Sequence, residues 1–201
     1  MNYLAHIYLS GDSGEVLAGN FMGDSIKGRD YTYLPEGVQT GVALHRYIDW
    51  YTDSNELTRA ACDLCREELG KYAPVAVDMI FDHLLAKNWS QYHDENLKVY
   101  TEDAFQRLDQ FLSIFPEETK MMFKYMREQN WLLGYATIEG LSKALTGLGS
   151  RQKYNNNLHL GSVVLQAKEA EFEAIFNRFF PQLVSASGKW IDSQNENHDS
   201  A

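Results

Sequence analysis

The sequence predicts an all-α fold, a single-domain multi-helix bundle, on three observations. Apolar residues recur at spacings of three and four in nearly every segment. Proline, serine, asparagine and aspartate punctuate those segments where helices start and stop. No stretch alternates apolar and polar residues as a strand would, and no internal repeat or low-complexity linker interrupts the chain. At 201 residues the chain suits one domain with a real core. We set that domain at residues 1–192 and read 193–201 as a polar tail, expected to be disordered.

Asn2 to Ser10 is a short apolar piece carrying His6, closed by the turn Gly11-Asp12-Ser13-Gly14. Ser13 can cap a helix to about Gly23, which brings Asp24 to its end. A carboxylate there opposes the negative end of the helix dipole, so a bound cation, Lys27 or Arg29 is expected to relieve it. Residues 25–34 read as a loop, and Pro35 opens the helix that carries His45. Asp53-Ser54 offers the next N-cap, for a helix to about Lys71. Cys62-Asp63-Leu64-Cys65 lies inside it and reads as a packed i, i+3 pair, lacking the second pair or nearby His of a zinc site.

Pro74 starts a helix from Val75 to about Tyr92 that holds Asp78, Asp82 and His83 among Ile80, Phe81, Leu84 and Leu85. After the polar turn 93–96 the helical period resumes from Leu97 to Phe115, and Pro116-Glu117-Glu118 opens a helix to about Gln129 with Met121, Met122, Phe123, Tyr125 and Met126 as core filler. Residues 130–135 link to a helix from Thr137 to Leu148, whose Gly140 is expected at a close helix contact. A polar loop at 154–157 precedes a long helix from Leu160 to Phe180, and Pro181 is expected to restart a last short one.

Composition narrows the function. Asp and Glu number 28 against 18 Lys and Arg, a formal charge of −10, which argues against general nucleic-acid binding and against a polybasic membrane surface. The start Met-Asn-Tyr-Leu-Ala-His lacks a signal peptide's basic region and apolar core, and no apolar run approaches membrane-spanning length. With two cysteines and no disulfide framework, the expectation is a cytoplasmic protein.

The chemistry gathers around Gly41 to Asp53. His45 and Asp49 stand four apart and share a helix face, with Asp53 continuing the stripe. Together with His6, Asp24, Asp82 and His83 they form a set of nitrogen and oxygen ligands suited to Mn²⁺, Fe²⁺, Zn²⁺ or Mg²⁺. A cation so held would neutralise a phosphoryl group and acidify water, and Arg46 could grip a second phosphate oxygen. The plainer alternative is a polar stripe that faces water or pairs internally.

Four stretches in order carry a resemblance: Met-Asn-Tyr-Leu-Ala-His at the start, Gly19-Asn20-x-x-x-Asp24, Leu44-His45-Arg46-x-Ile48-Asp49-x-x-Thr52-Asp53, and Asp78-x-x-x-Asp82-His83-x5-Trp89-Ser90. Together they resemble the acyl carrier protein phosphodiesterase family. The resemblance implies hydrolysis of the phosphodiester joining 4′-phosphopantetheine to a serine of holo-acyl carrier protein, on an HD-domain-like helical scaffold using Mn²⁺ or Mg²⁺. Carried onto this chain, it makes Asp24, His45, Asp82 and His83 the expected metal ligands, with His6, Asp49 and Asp53 as ligand, acid or orienter. Asp82-His83 reverses the His-Asp order that names HD enzymes.

The carrier is itself strongly acidic in that family, so local positive charge must receive it. Lys27 and Arg29, directly after Asp24, are the expected docking residues. Two other readings fit the same residues: a metal phosphohydrolase of a nucleotide or other small phosphoester, and a non-catalytic helical binding module.

Overall fold

A computed structural model describes residues 1–198. It is all-α. Helix α1 (Tyr3–Tyr8) and α2 (Gly14–Phe21) lead through a 3₁₀ turn (Gly23–Ser25) and a loop to α3 (Glu36–Ser54). Then follow α4 (Glu56–Leu69), α5 (Ala73–Lys87), α6 (Leu97–Asp109), α7 (Glu117–Glu128) and the short α8 (Trp131–Gly134). The chain closes with α9 (Ile138–Ser150), α10 (Gly161–Ala167) and α11 (Glu169–His198). Among the described residues there is no strand, and no helix is long and apolar enough to cross a membrane.

The caps explain most boundaries. Ser13 accepts a hydrogen bond from Val16 N at the start of α2, and Thr137 accepts one from Gly140 N at the start of α9. Helix α4 is capped by Asn55 rather than by Asp53 or Ser54, because α3 continues through both of those and leaves a single extended residue between the helices. Helix α5 stops at Lys87, short of Tyr92, and a 3₁₀ turn covers Trp89–Gln91.

The C-terminal third departs further from the sequence expectation. Where one helix was expected from 160 to 180, Lys168 leaves helical geometry (φ −129°, ψ 31°) and separates α10 from α11. Pro181 then lies inside α11 instead of starting a new helix. An interior proline costs roughly 3 kcal/mol through a lost hydrogen bond and a ring clash. Phe172, Phe176, Phe179, Phe180 and Leu183, all fully buried on both sides of it, supply the burial that offsets that cost. Helix α11 also takes in residues 193–198, the start of the expected disordered tail, while 199–201 lie outside the described residues.

Helix α5 runs through the core. From Met79 to Ala86 every residue is buried, and Phe81 meets Phe176 and Phe179 of α11 at ring-centroid distances of 5.5 and 5.3 Å. In α7 only part of the expected filler is core: Phe123 and Met126 are buried, whereas Met121 is 62% and Tyr125 46% exposed. Cys62 and Cys65 are buried and unpaired, as a packed pair should be.

Candidate active site

Two glycines bring the polar residues together. Where α2 crosses α3, a Cβ added to Gly19 would sit 2.0 Å from Val38 O, and one added to Gly41 would sit 2.2 Å from Val16 O. Any side chain at either position would push the helices apart, so the glycines let the backbones touch. That contact seats His45 of α3 against the end of α2. Gly23 completes the seat, since its own Cβ would fall 2.3 Å from His45 Cγ.

Helix α1 is fixed by a different device. Asp82, wholly buried on α5, accepts hydrogen bonds from the amides of Asn2 (3.1 Å), Leu4 (2.7 Å) and Ala5 (3.3 Å). A carboxylate at these amides satisfies donors that have no partner within a helix's first turn. Burial pushes the Asp82 carboxyl up to about 7, against the opposing pull of the Met1 amino group and these three amides. The anchored helix points His6 at the crossing of α2 and α3.

There the rings of His6 and His45 stack, and Asn20 sets the tautomer of both. Asn20 Nδ2 donates to His6 O (2.8 Å) and Ser10 Oγ (2.9 Å), which directs Oδ1 at His6 Nδ1 (2.7 Å). His45 Nδ1 faces the main-chain oxygen of Asn20 at 2.8 Å. Both partners are acceptors, so both Nδ1 atoms carry the proton and both Nε2 atoms face the opposite way. Asp49 receives them there: Oδ1 lies 3.2 Å from His6 Nε2 and Oδ2 3.2 Å from His45 Nε2. Asp24 Oδ1 lies 3.3 Å from His45 Nε2.

The charges follow from these contacts. Burial depresses His45, but its bonds to Asp24 and Asp49 outweigh burial and raise the imidazole to about 9. For His6, burial and the adjacent charge of His45 push the other way and lower it. Burial would raise Asp49, yet the two imidazoles hold its carboxyl far below the usual range. Asp24 is lowered chiefly by its bond to His45.

This donor set fits a divalent cation. One ligand atom each from His6, His45 and Asp49 lie within 4.8 Å of one another. The Nδ1 hydrogen bonds are the kind of outer contact that orients imidazoles toward a metal, and two imidazoles with a carboxylate suit a first-row divalent metal such as Mn²⁺, Fe²⁺ or Zn²⁺.

The group lies in a cleft of about 1080 Å³ that runs from His6, Asn20, His45 and Asp49 past Tyr3 to α9. Asp24 and Asp53 also line it, as exposed carboxylates. The sequence-predicted ligands thus separate into two sets. His45, Asp49, His6 and Asp24 converge; Asp82 and His83 do not join them. Asp82 has both oxygens engaged by the α1 amides. His83 Nδ1 donates to Tyr135 O at 2.7 Å, and its Nε2 is buried without a hydrogen bond, near Lys87, Glu169 and Glu173.

Arg46 is likewise drawn elsewhere. Its Nη2 donates to Ile26 O (3.1 Å) and Gly28 O (2.7 Å) while the guanidinium lies 4.9 Å over the ring of Tyr31, which secures the loop after Asp24. On that loop Lys27 donates to Asp24 O, and Lys27 and Arg29 are both exposed. Asn20 was missed as a functional residue by sequence reasoning. The signal was a wholly buried amide position among Leu17, Ala18 and Phe21, readable only once the α2 face was known to be interior.

The fold and the site define a class: an all-α protein whose imidazole–carboxylate centre lies in a cleft. The acyl carrier protein phosphodiesterase family model matches residues 1–183, and the chain belongs to that family. It is 28% identical over 185 residues to a protein named acyl carrier protein phosphodiesterase from Photorhabdus laumondii, covering 92% of this chain and 93% of the relative. Proteins of the same name from Salmonella paratyphi A and Escherichia coli O157:H7 are each 28% identical over 190 residues, covering 94% of this chain and 98% of the relative. No solved structure matches the chain.

Proposed function

We propose that this chain is a cytoplasmic enzyme that hydrolyses the phosphodiester between 4′-phosphopantetheine and a serine of holo-acyl carrier protein, with a divalent cation, Mn²⁺ or Mg²⁺, held by His6, His45 and Asp49. The observation that carries the reading is the pair of Nε2 atoms, fixed by Asn20 and aimed at one carboxylate inside a cleft. Two imidazoles make Mn²⁺ the better fit of the two ions.

When bound, such a cation neutralises charge on the phosphoryl oxygens and lowers the pKa of water. The chain supplies the rest. Asp24 is held in its charged form and stands open to the cleft, a carboxylate able to take a proton from attacking water. Asp53, exposed on the same cleft, is the second carboxylate available for proton transfer. Burial pushes the Tyr3 hydroxyl up to about 12, so it remains a hydrogen-bond donor on the wall. His6 serves in this scheme as a ligand and not as the acid for the serine oxygen, because its one outward nitrogen is committed. Lys27 and Arg29, next to Asp24, form the positive face offered to an acidic carrier.

The test is to incubate the enzyme and holo-acyl carrier protein with Mn²⁺ or with EDTA, then weigh the carrier. The expected outcome is loss of the phosphopantetheine mass with Mn²⁺ and an unchanged carrier with EDTA. An unchanged carrier in both, with a small phosphodiester cleaved, would replace this substrate with a small phosphoester.

A further inference from the structure

The cleft is lined by five carboxylates, those of Asp24, Asp49, Asp53, Asp78 and Glu139. An anionic phosphodiester must settle among them. One cation at the histidines offsets only part of that charge, so the substrate needs a positive side chain elsewhere in the cleft. Arg46 is committed to the loop carbonyls. The Met1 amino group is 2.7 Å from Asp78. Among the described residues the side-chain cations on the cleft are then Lys143 and Arg151, both from α9 and its end.

Of the two, Arg151 has a side chain held in place at the cleft. Its Nε donates to Gly147 O at 3.2 Å, one turn back, which steadies the side chain and leaves the terminal nitrogens without a hydrogen bond among the described residues. Its charge acts on the hydroxyls of Tyr3 and Tyr135, and Tyr3 is acted on from its other neighbour by Asp24. Tyr3, the carboxylate of Asp24 that touches His45, and Arg151 all line the same cleft. A planar fork suits two non-bridging phosphate oxygens better than the point charge of Lys143.

We propose that Arg151 grips the phosphodiester from the α9 wall of the cleft, the role that the sequence gave to Arg46. The inference rests on the function proposed above and adds a substrate-binding residue to it. It predicts that the contact tightens as charge builds on the phosphoryl oxygens, so that its loss is felt in kcat.

The test is steady-state hydrolysis of holo-acyl carrier protein by wild type, Arg151→Ala and Arg151→Lys, with circular dichroism and Mn²⁺ titration of each. Arg151→Ala should lower kcat by about 10²- to 10³-fold with KM changed less than about threefold. Arg151→Lys should stay more than about tenfold below wild type, because charge returns without the fork. Guanidinium chloride at about 50 mM should restore at least about tenfold to Arg151→Ala and nothing to wild type. Mn²⁺ affinity should be the same in all three.

Unchanged kinetics, a rise in KM at constant kcat, or a loss of Mn²⁺ affinity would each overturn the proposal. If Arg151→Ala fails to fold, Arg151→Lys decides, and wild-type kcat in that variant would overturn it. Wild type inert toward the carrier would instead overturn the proposed function.

Discussion

The rings of His6 and His45 lie face to face, centroids 4.2 Å apart and planes 23° apart. Two stacked imidazoliums would repel, and the charge of His45 adds to burial in lowering His6. A divalent cation held by His6, His45 and Asp49 would remove that repulsion, provided that both rings keep their Nδ1 protons pointed away. Asn20 enforces that condition.

Asn20→Leu, close in volume, tests the point. It deletes the Oδ1 acceptor of His6 but keeps the main-chain oxygen that serves His45. Mn²⁺ affinity measured by calorimetry should fall about 10- to 100-fold, and activity should recover partly at high Mn²⁺. Wild-type affinity in this variant would leave Asn20 a purely structural residue.

Asp82 should behave in the opposite way. Asp82→Ala strands three amide donors in the interior, a loss of about 3–5 kcal/mol. The urea midpoint should drop accordingly, while the molecules that remain folded bind Mn²⁺ with a stoichiometry unchanged from wild type. A variant of native stability that fails to bind metal would restore Asp82 to the ligand set.

Gly41→Ala weighs two opposed effects. Helix propensity favours alanine by about 1 kcal/mol. Against it, the new Cβ falls 2.2 Å from Val16 O and 2.8 Å from Gly19 Cα, both backbone atoms that cannot swing aside. Overpacking of this kind costs about 1–3 kcal/mol, and a backbone contact belongs at the upper end, so packing wins by about 2 kcal/mol. The same displacement separates His45 from Asn20, so Mn²⁺ affinity should fall along with the urea midpoint. Equal or greater stability would mean that the crossing is looser than described.

The contrast between Asp49 and Asp82 marks how far the sequence could be read. His45 and Asp49 share one helix, so their spacing alone placed them together, and the 3.2 Å contact follows from helix geometry. Asp82 and His83 share a helix too, but neighbours on a helix point about 100° apart, and which of them meets the cleft depends on how α5 packs. Charge in an apolar run signalled a required partner without saying whether it was a cation or three amides. Helix type was legible throughout because the apolar period is local. The passage of α11 through Pro181 was not, since it depends on aromatic burial contributed by other helices.

Carrier docking is tested through Lys27 and Arg29. Arg46 anchors their loop, and Lys27 also donates to the main-chain oxygen of Asp24, a residue that lines the cleft. The enzyme bears −10, so long-range repulsion of an acidic carrier must be overcome locally. The double substitution Lys27→Glu and Arg29→Glu should raise KM for holo-acyl carrier protein about tenfold or more at low ionic strength, with kcat little changed. At about 0.5 M salt the screening length shrinks to roughly 4 Å, and the difference from wild type should shrink with it. Hydrolysis of a small phosphodiester should be untouched at either salt concentration. A fall in kcat that salt does not relieve would mean that the substitutions disturb Asp24 instead of the encounter, and an unaltered KM would move the docking face elsewhere on the cleft rim.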